Sequence, residues 1–399
     1  MKITCVGAGP AGLYFAILAK RRNPAHEVTV IERNGPRQTR GWGLAFGPEI
    51  LKKLADADPE SARVIERGMH RWREDYVSIR GRRVVHVNDT DIYTMTRPRL
   101  VEILAGRARE LGARIRYNEE VSGLSQLADA ELIVAADGVS SRLRDDVGTF
   151  GTDMTLSRDK FIWLGTDAPF DSFEYFFVET ACGWVWGAGY GGLSGLSTFL
   201  VHCTAQTWSD LGFGTMPVAG SLEVVRELFK EPLAGYRLMG QADDENNARW
   251  LSFRSVTNQR WHAGNVVLVG DSAHSTHFSA GIGTGMAIED AIALADALGR
   301  HDRLDSALEA YERQRKAELK PAQDAARLSS EWFANVPRYI NLSPQAFATA
   351  LYARRSPLLV LLPPRLWYQV YRGFSQVPVL RQLAARLYPA ARAIGRRAA

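Results

Sequence analysis

Three glycines near the start of the chain have the spacing of a loop that binds a dinucleotide. The segment GAGPAG places Gly7, Gly9 and Gly12 directly after the apolar run 2–6. In such a loop the first glycine permits a tight turn, the second lets the backbone approach a pyrophosphate, and the third lets the helix pack on the strand. The helix that contains Ala11 then offers free N–H groups and the positive end of its dipole to the phosphates. The spacing therefore predicts a site for a nucleotide pyrophosphate.

An acidic residue follows at the position expected for a ribose contact. Glu32 lies 20 residues beyond Gly12, at the end of the alternating, β-branched run EVTVIE. A carboxylate at this position can accept hydrogen bonds from ribose hydroxyls, and we include the adjacent Arg33 in the predicted site. Strand, glycine turn, helix and strand within about 30 residues form the βαβ unit that the loop requires.

Two later segments have the composition of further contacts to the same molecule. The apolar run LIVAA leads into Asp137 and Gly138, and the apolar run NVVLV leads into Gly270 and Asp271. A second glycine cluster then opens a helix, and its predicted contacts are Gly281, Gly283 and Thr284. Asp271 suits the hydroxyls of a polyol, whereas backbone N–H groups at a helix start suit an anion. A simple nicotinamide dehydrogenase would not need a second anion site.

The three segments together resemble the fingerprints of the single-component FAD-dependent aromatic hydroxylases, which have the fold of p-hydroxybenzoate hydroxylase. The run RPRL resembles the R-x-x-L helix of that family, whose arginine reaches the flavin, and Arg97 takes this position. The runs GWG, DKFIWLGTDAPFDSFEYFF, STFLVHC and AHSTHFSAGIGT are similar to a narrower subgroup. That subgroup includes salicylyl-CoA 5-hydroxylase, the flavin part of anthraniloyl-CoA monooxygenase and the violacein-pathway indole hydroxylase. The family usually has a proline-rich segment where this chain has His277-Phe278-Ser279, and the subgroup shares the latter form.

The resemblance implies FAD as the cofactor, NADH or NADPH as the reductant and O2 as the oxidant. The implied activity is hydroxylation, through a C4a-hydroperoxyflavin, of an electron-rich ring in an aryl-CoA thioester or a bulky indole-type intermediate. His277 is the expected catalytic residue, as a base, as a group that orients the substrate or as a partner of the hydroperoxide's proton. The small aromatic substrate is the expected partner, with no nucleic acid and no metal.

Aromatic residues between positions 160 and 203 are expected to form the wall of the substrate pocket. Short alternating runs there, dense in Phe, Trp, Tyr, Thr and Gly, predict an antiparallel sheet. The predicted pocket residues are Trp163, Tyr175, Trp184, Trp186 and Phe278. Phe173, Phe177 and Tyr190 lie in the same region. Because side chains alternate along a strand, we expect only about half of the strand rings to face a cavity.

The order of these segments predicts an α/β fold. A Rossmann-like FAD-binding domain is interrupted by an antiparallel-sheet substrate domain and followed by a C-terminal helical segment. The predicted boundaries are 1–155 and 255–345 for the first domain, 156–254 for the second and 346–399 for the tail. Residues 74–96 could join the substrate domain instead.

The charge of the chain is concentrated at its C-terminal end. The formal net charge is +5, yet no Asp or Glu follows Glu331, whereas ten arginines do. The tail could form a helical cap with a basic face, bind an anionic membrane surface as an amphipathic segment, or pair with substrate phosphates or carboxylates. No targeting segment, membrane span or cysteine framework is recognisable, so we expect a cytoplasmic monomer or homodimer.

The sequence alone does not exclude other activities on the same fold. A flavin-dependent oxidase, reductase or oxidative cyclase acting on a lipophilic intermediate, such as an indole terpenoid, would suit the apolar tail. Flavin halogenases carry W-x-W-x-I-P, whereas Trp184-Val185-Trp186 precedes Gly-Ala-Gly here. A flavin-binding protein without catalytic activity is a further class. Oxidation of NAD(P)H on addition of substrate, with or without O2 uptake, distinguishes them.

Overall fold

The computed structural model describes residues 1–36, 38, 41–192, 195–240 and 247–376. Within these ranges the chain forms a six-stranded sheet, an eight-stranded sheet and a two-stranded ribbon, surrounded by helices. The end of the predicted basic tail, residues 377–399, lies outside the described residues. Membrane contact through this tail, a cytoplasmic location and a monomeric or homodimeric state therefore stay predictions.

The six-stranded sheet contains the first glycine loop and the strands that lead into the other two segments. Its strands are β1 (Lys2–Val6), β2 (Glu27–Glu32), β6 (Arg114–Tyr117), β7 (Leu132–Ala135), β15 (His262–Ala263) and β16 (Val266–Leu268). The order is β15-β16-β7-β1-β2-β6, and all neighbours are parallel except β15 and β16. The carboxyl ends of β1, β7 and β16 therefore meet at one edge of the sheet, which is where ligands bind in open α/β sheets.

The eight-stranded sheet is largely antiparallel. Its strands are β3 (Gly43–Phe46), β4 (His70–Ile79), β5 (Arg82–Thr96), β9 (Lys160–Thr166), β10 (Glu174–Thr180), β11 (Gly183–Tyr190), β12 (Ser197–Cys203) and β13 (Leu238–Met239). The order is β13-β9-β12-β11-β10-β4-β5-β3, and β10 runs parallel to β4. Pairing thus brings β4 and β5, which span the 74–96 region, into this sheet. It also brings in β3, which the predicted division left in the cofactor domain.

A two-stranded ribbon connects the two parts of the molecule. Strand β8 (Thr152–Leu156) pairs antiparallel with β14 (Arg254–Asn258). The chain first crosses from β2 to β3–β5 and back through α4, and it then leaves the six-stranded sheet a second time through β8 and returns through β14. The architecture confirms the predicted α/β class, in which a Rossmann-like part is interrupted by an antiparallel one.

Thirteen helices pack around the sheets in the described ranges. They are α1 (Pro10–Arg22), α2 (Pro48–Ala57), α3 (Pro59–Arg67), α4 (Arg97–Glu110), α5 (Arg142–Val147), α6 (Ala205–Asp210), α7 (Val218–Leu228), α8 (Lys230–Leu233), α9 (Gly283–Arg300), α10 (Leu304–Ala334), α11 (Pro344–Tyr352), α12 (Pro357–Leu361) and α13 (Pro364–Gln376). Proline occupies the first turn of α1, α2, α3 and α4, where its fixed φ suits a helix and its missing N–H costs nothing.

The two faces of the eight-stranded sheet pack against different helices. One face forms a core with α7 and α8 that includes Phe199, Val201 and Phe229. The other face forms a core with the end of α10 and with α11 that includes Phe177, Trp332 and Phe347. The C-terminal segment is therefore part of the packed molecule as far as α11, and the buried Trp367 of α13 extends the contact. Among the described helices, none is long and apolar enough to cross a membrane.

Candidate active site

The first glycine loop has the close contacts that its spacing predicts. Gly7 has φ +107°, and a Cβ there would lie 2.3 Å from the carbonyl oxygen of Ala136. A Cβ at Gly12 would lie 2.2 Å from the carbonyl oxygen of Gly7. Gly9, by contrast, has no atom within 4 Å of an added Cβ. It precedes α1, whose start has no side-chain cap. Gly7 and Gly12 thus allow the loop to form, while Gly9 faces open space at the N-terminus of α1.

Glu32 stabilises this loop from the end of β2. Its carboxylate accepts hydrogen bonds from the N–H of Ala8 and from the N–H of Asn34, both at 2.9 Å. The adjacent Arg33 is exposed, and its guanidinium lies 4.0 Å from the carboxylate of Glu120. Glu32 is therefore placed beside the loop, and a ribose contact by either residue stays a prediction.

The second segment forms a tight turn after β7. One oxygen of Asp137 accepts a hydrogen bond from the N–H of Arg142 at 2.9 Å, whereas Oδ1 is buried and has no partner among the described residues. Burial raises the pKa of this carboxyl group. Gly138 has φ +83° and faces open space. The buried Arg144 donates to the carbonyl oxygen of Ser272 at 3.2 Å, which joins the second segment to the third.

The third segment brings an accessible carboxylate to the same edge of the sheet. Gly270 has φ +62°, an added Cβ there would lie 3.3 Å from the Cβ of Ala11, and its N–H donates to Asp290 at 2.8 Å. Asp271 is an exposed residue at the carboxyl edge of the six-stranded sheet, and we call the space outside the carboxyl ends of β1, β7 and β16 the recess. The protein that surrounds its carboxyl group removes part of the solvent and raises its pKa even though the residue is exposed, and the positive charge of Arg97 opposes this effect. Asp271 is thus the acidic side chain of this segment that is free to meet a ligand.

The start of α9 is uncapped and bordered by glycines. No side chain caps its first turn, so its N–H groups point toward the space in front of the helix. Cβ atoms added at Gly281 and Gly283 would each have no neighbour within 4 Å. Thr284 is half-buried in the first turn. The positive end of the helix dipole favours a negatively charged group there.

Arg97 extends toward this recess from the start of α4. Its N–H donates to the carbonyl oxygen of Trp42 at 2.7 Å, and a Cβ on Gly41 would lie 3.5 Å from its Cδ. The Nε atom is buried without a partner among the described residues. Its charge acts on Asp271. A buried donor that lacks an acceptor indicates that a polar ligand belongs beside it.

These observations test whether the residues fit an elongated dinucleotide. Arg144 joins the second segment to the third, and Gly270 packs on Ala11 of the first, so the open positions Gly9, Gly138, Gly281 and Gly283 belong to segments that meet at one edge of the sheet. Two polar atoms of this region, Asp137 Oδ1 and Arg97 Nε, are buried and unpaired. Glycines that leave space and polar groups that need partners are the complement of a flavin dinucleotide. The residues fit FAD.

His277 lies between Asp271 and the start of α9 and is buried. Its Nδ1 accepts a hydrogen bond from the N–H of Ser279 at 3.3 Å and lies 2.8 Å from the Ser279 hydroxyl. Burial lowers the pKa of His277 to about 4. The imidazole is therefore neutral near pH 7, and with Nδ1 as an acceptor its proton resides on Nε2. This state suits a hydrogen-bond donor better than a strong base.

Seven aromatic rings lie on one face of the eight-stranded sheet. Trp163 pairs with Leu200, Leu200 with Ala188 and Ala188 with Tyr175, so these residues share a face. The other rings lie two or four positions from members of this row: Phe173, Phe177, Trp184, Trp186 and Tyr190. Period two permits only half of consecutive residues on one face, but these rings are spaced by even numbers. Sharing a face does not show which rings border a cavity, so the expectation that about half of them do stays a prediction.

Exposure divides the predicted pocket residues into two groups. Trp163 and Phe278 are partly exposed. A Cβ on Gly41 would lie 3.1 Å from the Trp163 ring, and the Phe278 ring is 4.5 Å from that of Phe161. The other predicted rings are buried against the C-terminal helices: Tyr175, Trp184 and Trp186. The structure therefore brings Trp163 and Phe278 to the recess side, while the remaining three contribute to packing.

Sequence reasoning missed a polar pair behind His277. The indole of Trp186 donates to Nδ1 of His202 at 2.8 Å, and Nε2 of His202 lies 3.7 Å from Asp159. The His202 ring is 6.1 Å from His277, and burial holds its pKa well below the ordinary value. Burial raises the pKa of Asp159 to about 6. Both residues lie in runs that carried the family resemblance, and the alternation of STFLVHC could have placed His202 on the aromatic face.

Sequence comparisons find relatives over most of the chain. A family model described as an FAD binding domain matches residues 125–326. Salicyloyl-CoA 5-hydroxylase of a Streptomyces species is 35% identical over 90% of this chain and 70% of its own. A 3-hydroxy-4-methyl-anthranilyl-(aryl-carrier protein) 5-monooxygenase of Streptosporangium sibiricum is 35% identical over 84% of this chain and 90% of its own. Protodeoxyviolaceinate monooxygenase of Chromobacterium violaceum is 30% identical over 90% of this chain and 95% of its own.

Solved structures share the fold. That of 2-methyl-3-hydroxypyridine-5-carboxylic acid oxygenase superposes with a TM-score of 0.70 at 23% identity, covering 89% of this chain and 96% of the other. PqsL of Pseudomonas aeruginosa, solved in complex with 2-aminobenzoylacetate, superposes with a TM-score of 0.66 at 17% identity, covering 85% and 98%. At these identities the likeness concerns the arrangement of sheets and helices.

Proposed function

The chain belongs to the FAD-dependent aromatic monooxygenases, and we propose that it hydroxylates an electron-rich ring in an aryl thioester or a bulky indole-type molecule. The net reaction inserts one oxygen atom of O2 into a ring C–H bond and reduces the other to water with NAD(P)H. Bound FAD supplies the reactivity toward O2. One observation carries the proposal: Gly41 lies against both Arg97, whose charge acts on Asp271, and Trp163 of the aromatic sheet face.

The three segments would hold FAD in the proposed enzyme. The N–H groups after Gly9 would bind the pyrophosphate, and Glu32 would bind the ribose. The exposed carboxylate of Asp271 suits the polyol hydroxyls of the cofactor. The uncapped start of α9 would favour negative charge on the reduced ring system. Arg97 would bind the flavin with its unpaired Nε.

The substrate ring would lie between the recess and the sheet. Trp163 and Phe278 offer partly exposed rings on this side, which suits an aromatic substrate and excludes water. His277 is neutral and carries its proton on Nε2, so it would donate a hydrogen bond to a substrate oxygen or to the transferred oxygen. A pKa of about 4 disfavours its use as a general base at neutral pH.

The names of the relatives support an acyl group on a carrier as one substrate class. Two of the three relatives are named for aromatic acyl groups attached to CoA or to a carrier protein. The third is named for protodeoxyviolaceinate. A thioester-linked aromatic ring with a hydroxyl or amino substituent is electron-rich. It also has an oxygen that could accept a hydrogen bond from His277.

The decisive experiment supplies FAD-loaded protein with NADH or NADPH and O2. Salicyloyl-CoA and anthraniloyl-CoA are compared with free indoles, and products are analysed for a mass gain of one oxygen atom. We expect substrate-dependent oxidation of NAD(P)H with O2 uptake, and 18O from 18O2 in the product. Substrate-dependent oxidation of NAD(P)H without oxygen incorporation would favour a reductase or cyclase instead.

A further inference from the structure

A buried arginine of the C-terminal segment holds the loop that precedes α9. Arg354 follows α11 and is 7% exposed. Its Nη2 donates to the carbonyl oxygen of Ser279 at 3.0 Å, and its Nε donates to the hydroxyl of Ser329 at 2.9 Å. Its Nη1 donates to the carbonyl oxygen of Leu351 at 2.8 Å. One side chain therefore joins the loop, α10 and the end of α11.

The surroundings of Arg354 hold it by hydrogen bonds to neutral groups, without a carboxylate in direct contact among the described residues. Each of its described hydrogen bonds goes to a neutral oxygen, including the hydroxyl of Tyr175 at 3.4 Å. The guanidinium lies 5.9 Å from the ring centroid of Tyr175 and 5.6 Å from that of Phe333. The charge of Arg354 also has a lowering effect on the pKa of the buried Asp75, but among the described residues no ion pair joins the two, so burial of the guanidinium costs free energy even when it is hydrogen-bonded. Such a cost is unusual for a group that only fills space.

A continuous series of hydrogen bonds leads from Arg354 to His277. The hydroxyls of Ser329 and Ser279 are 2.9 Å apart, and the Ser279 hydroxyl is 2.8 Å from Nδ1 of His277. The neighbouring Arg355 donates to the carbonyl oxygen of Ala280. The two arginines thus bind consecutive carbonyl groups immediately before Gly281. The N–H groups of Ala280 and Gly281 donate within the same turn to the carbonyl oxygens of His277 and Phe278, so the turn that leads into α9 is held from both sides.

We propose that Arg354 is a positioning residue of the flavin site. It fixes residues 277–281, so that His277 and the N–H groups at the start of α9 hold the geometry that FAD requires before FAD binds. Such preorganisation increases affinity because the ordering cost is met during folding. The proposal rests on the proposed role of the third segment in FAD binding. The basic composition of the C-terminal segment marked it as a separate tail in the sequence. Through Arg354 this segment becomes part of the cofactor site.

The test compares Arg354→Met and Arg354→Lys with Arg365→Met, which removes an exposed arginine of α13 from the same segment. The Kd of the apoprotein for FAD is measured by fluorescence quenching, and the midpoint potential of the bound flavin is measured by dye titration. We expect Arg354→Met to raise the Kd at least tenfold and to lower the potential, because the N–H groups that favour the anionic reduced flavin are displaced. Arg354→Lys should restore part of both values, and Arg365→Met should stay within twofold of the wild type.

Unchanged affinity and potential in a folded Arg354→Met protein would overturn the proposal. If this variant does not fold, Ser329→Ala decides, because it removes one partner of Arg354 and keeps the charge. We expect Ser329→Ala to weaken FAD binding in the same direction, and wild-type affinity in that variant would also overturn the proposal. A wild-type protein that binds FAD but does not hydroxylate would contradict the proposed function alone. One that does not bind FAD would contradict both.

Discussion

The acidic side chains around the recess differ in whether their oxygens are still free to accept hydrogen bonds from a ligand. Glu32 already accepts hydrogen bonds from two backbone N–H groups of the first loop region. One oxygen of Asp137 is likewise occupied by the N–H of Arg142. Asp271 is exposed instead. A free carboxylate within reach of the charge of Arg97 is the one whose removal should affect the cofactor more than the fold.

Asp271→Ala should therefore yield protein that is folded but largely without FAD. A hydrogen bond to a charged group contributes about 1.5–3 kcal/mol, so we expect the Kd for FAD to rise about 10- to 100-fold. Flavin content after purification and the Tm of the apoprotein measure the two effects separately. Asp305→Ala, at an exposed carboxylate of α10, is the matched control. Normal flavin content in Asp271→Ala would exclude the proposed contact.

Asp159 should make the folded state less stable at high pH than at low pH. Burial raises its pKa to about 6, above the value of about 3.9 for an unfolded chain. The folded state therefore binds the proton more tightly, and the stability present below pH 4 is lost as the pH rises through 6. Asp159→Asn keeps the shape without the charge. It should raise the free energy of unfolding at pH 7.5 by about 2–3 kcal/mol, and this gain should vanish near pH 4.

Urea unfolding at pH 4 and at pH 7.5 measures this difference. Asp153→Asn, at an exposed position of β8, should change stability equally little at both values. A gain in Asp159→Asn that is the same at both pH values would mean that ionisation of Asp159 is not its cause.

At the scale of elements, the glycines between β1 and α1 differ in what they are needed for. Gly12 is needed for folding, whereas Gly9 is needed for binding. A Cβ at Gly12 would lie 2.2 Å from a backbone oxygen, whereas a Cβ at Gly9 would meet nothing within 4 Å. We expect Gly12→Ala to lower the Tm of the apoprotein strongly, because the strand and the helix must separate. Gly9→Ala should leave the Tm of the apoprotein unchanged and weaken FAD binding, because its methyl group occupies the space of the pyrophosphate.

Differential scanning fluorimetry of both apoproteins and FAD titration of the folded one measure these effects. The two variants add the same methyl group three residues apart, so each serves as the control for the other. Equal loss of apoprotein stability in both would mean that the open space at Gly9 is not a binding site.

Elements formed by local sequence were predictable, whereas their partners were not. The runs that became β1, β2 and β7 are apolar or alternate, and a glycine follows each within three residues: Gly7, Gly35 and Gly138. The pairing of β3 with β5 and of β10 with β4 joins segments far apart in the chain, and no local pattern specifies it. The common face of Trp163 and Tyr175 follows from register across four strands, so alternation within one strand could not reveal it.

At the scale of the whole molecule, charge was a poor guide to where the packed structure ends. The predicted boundary at 345/346 follows the change to a basic composition, yet α11 packs against the aromatic sheet face. Phe347 and Leu351 are each 0% exposed, and Arg354 connects this segment to the recess. Arginine on the surface and apolar residues beneath it are compatible, since a short helix can present both faces. The apolar spacing at 347, 350 and 351 was the informative signal.

This packing predicts that the C-terminal segment unfolds together with the sheet. The Phe347 ring lies 4.7 Å from that of Phe177 and 5.5 Å from that of Trp332. Removal of a buried phenylalanine ring costs about 3–5 kcal/mol, so Phe347→Ala should lower the free energy of unfolding by that amount in a single transition. Leu361→Ala, at a residue that is 75% exposed, should change it by less than about 0.5 kcal/mol.

Urea unfolding followed by tryptophan fluorescence and by far-UV circular dichroism distinguishes one cooperative unit from two. Coincident transitions that both shift in Phe347→Ala mean that sheet and segment fold as one unit. A fluorescence transition that separates from the circular dichroism transition, or a loss below 1 kcal/mol, would mean that the segment rests on the sheet without stabilising it. The first outcome is expected because this segment covers buried rings of the sheet, including Trp184 and Trp186, and their exposure to water would oppose separate unfolding of the segment.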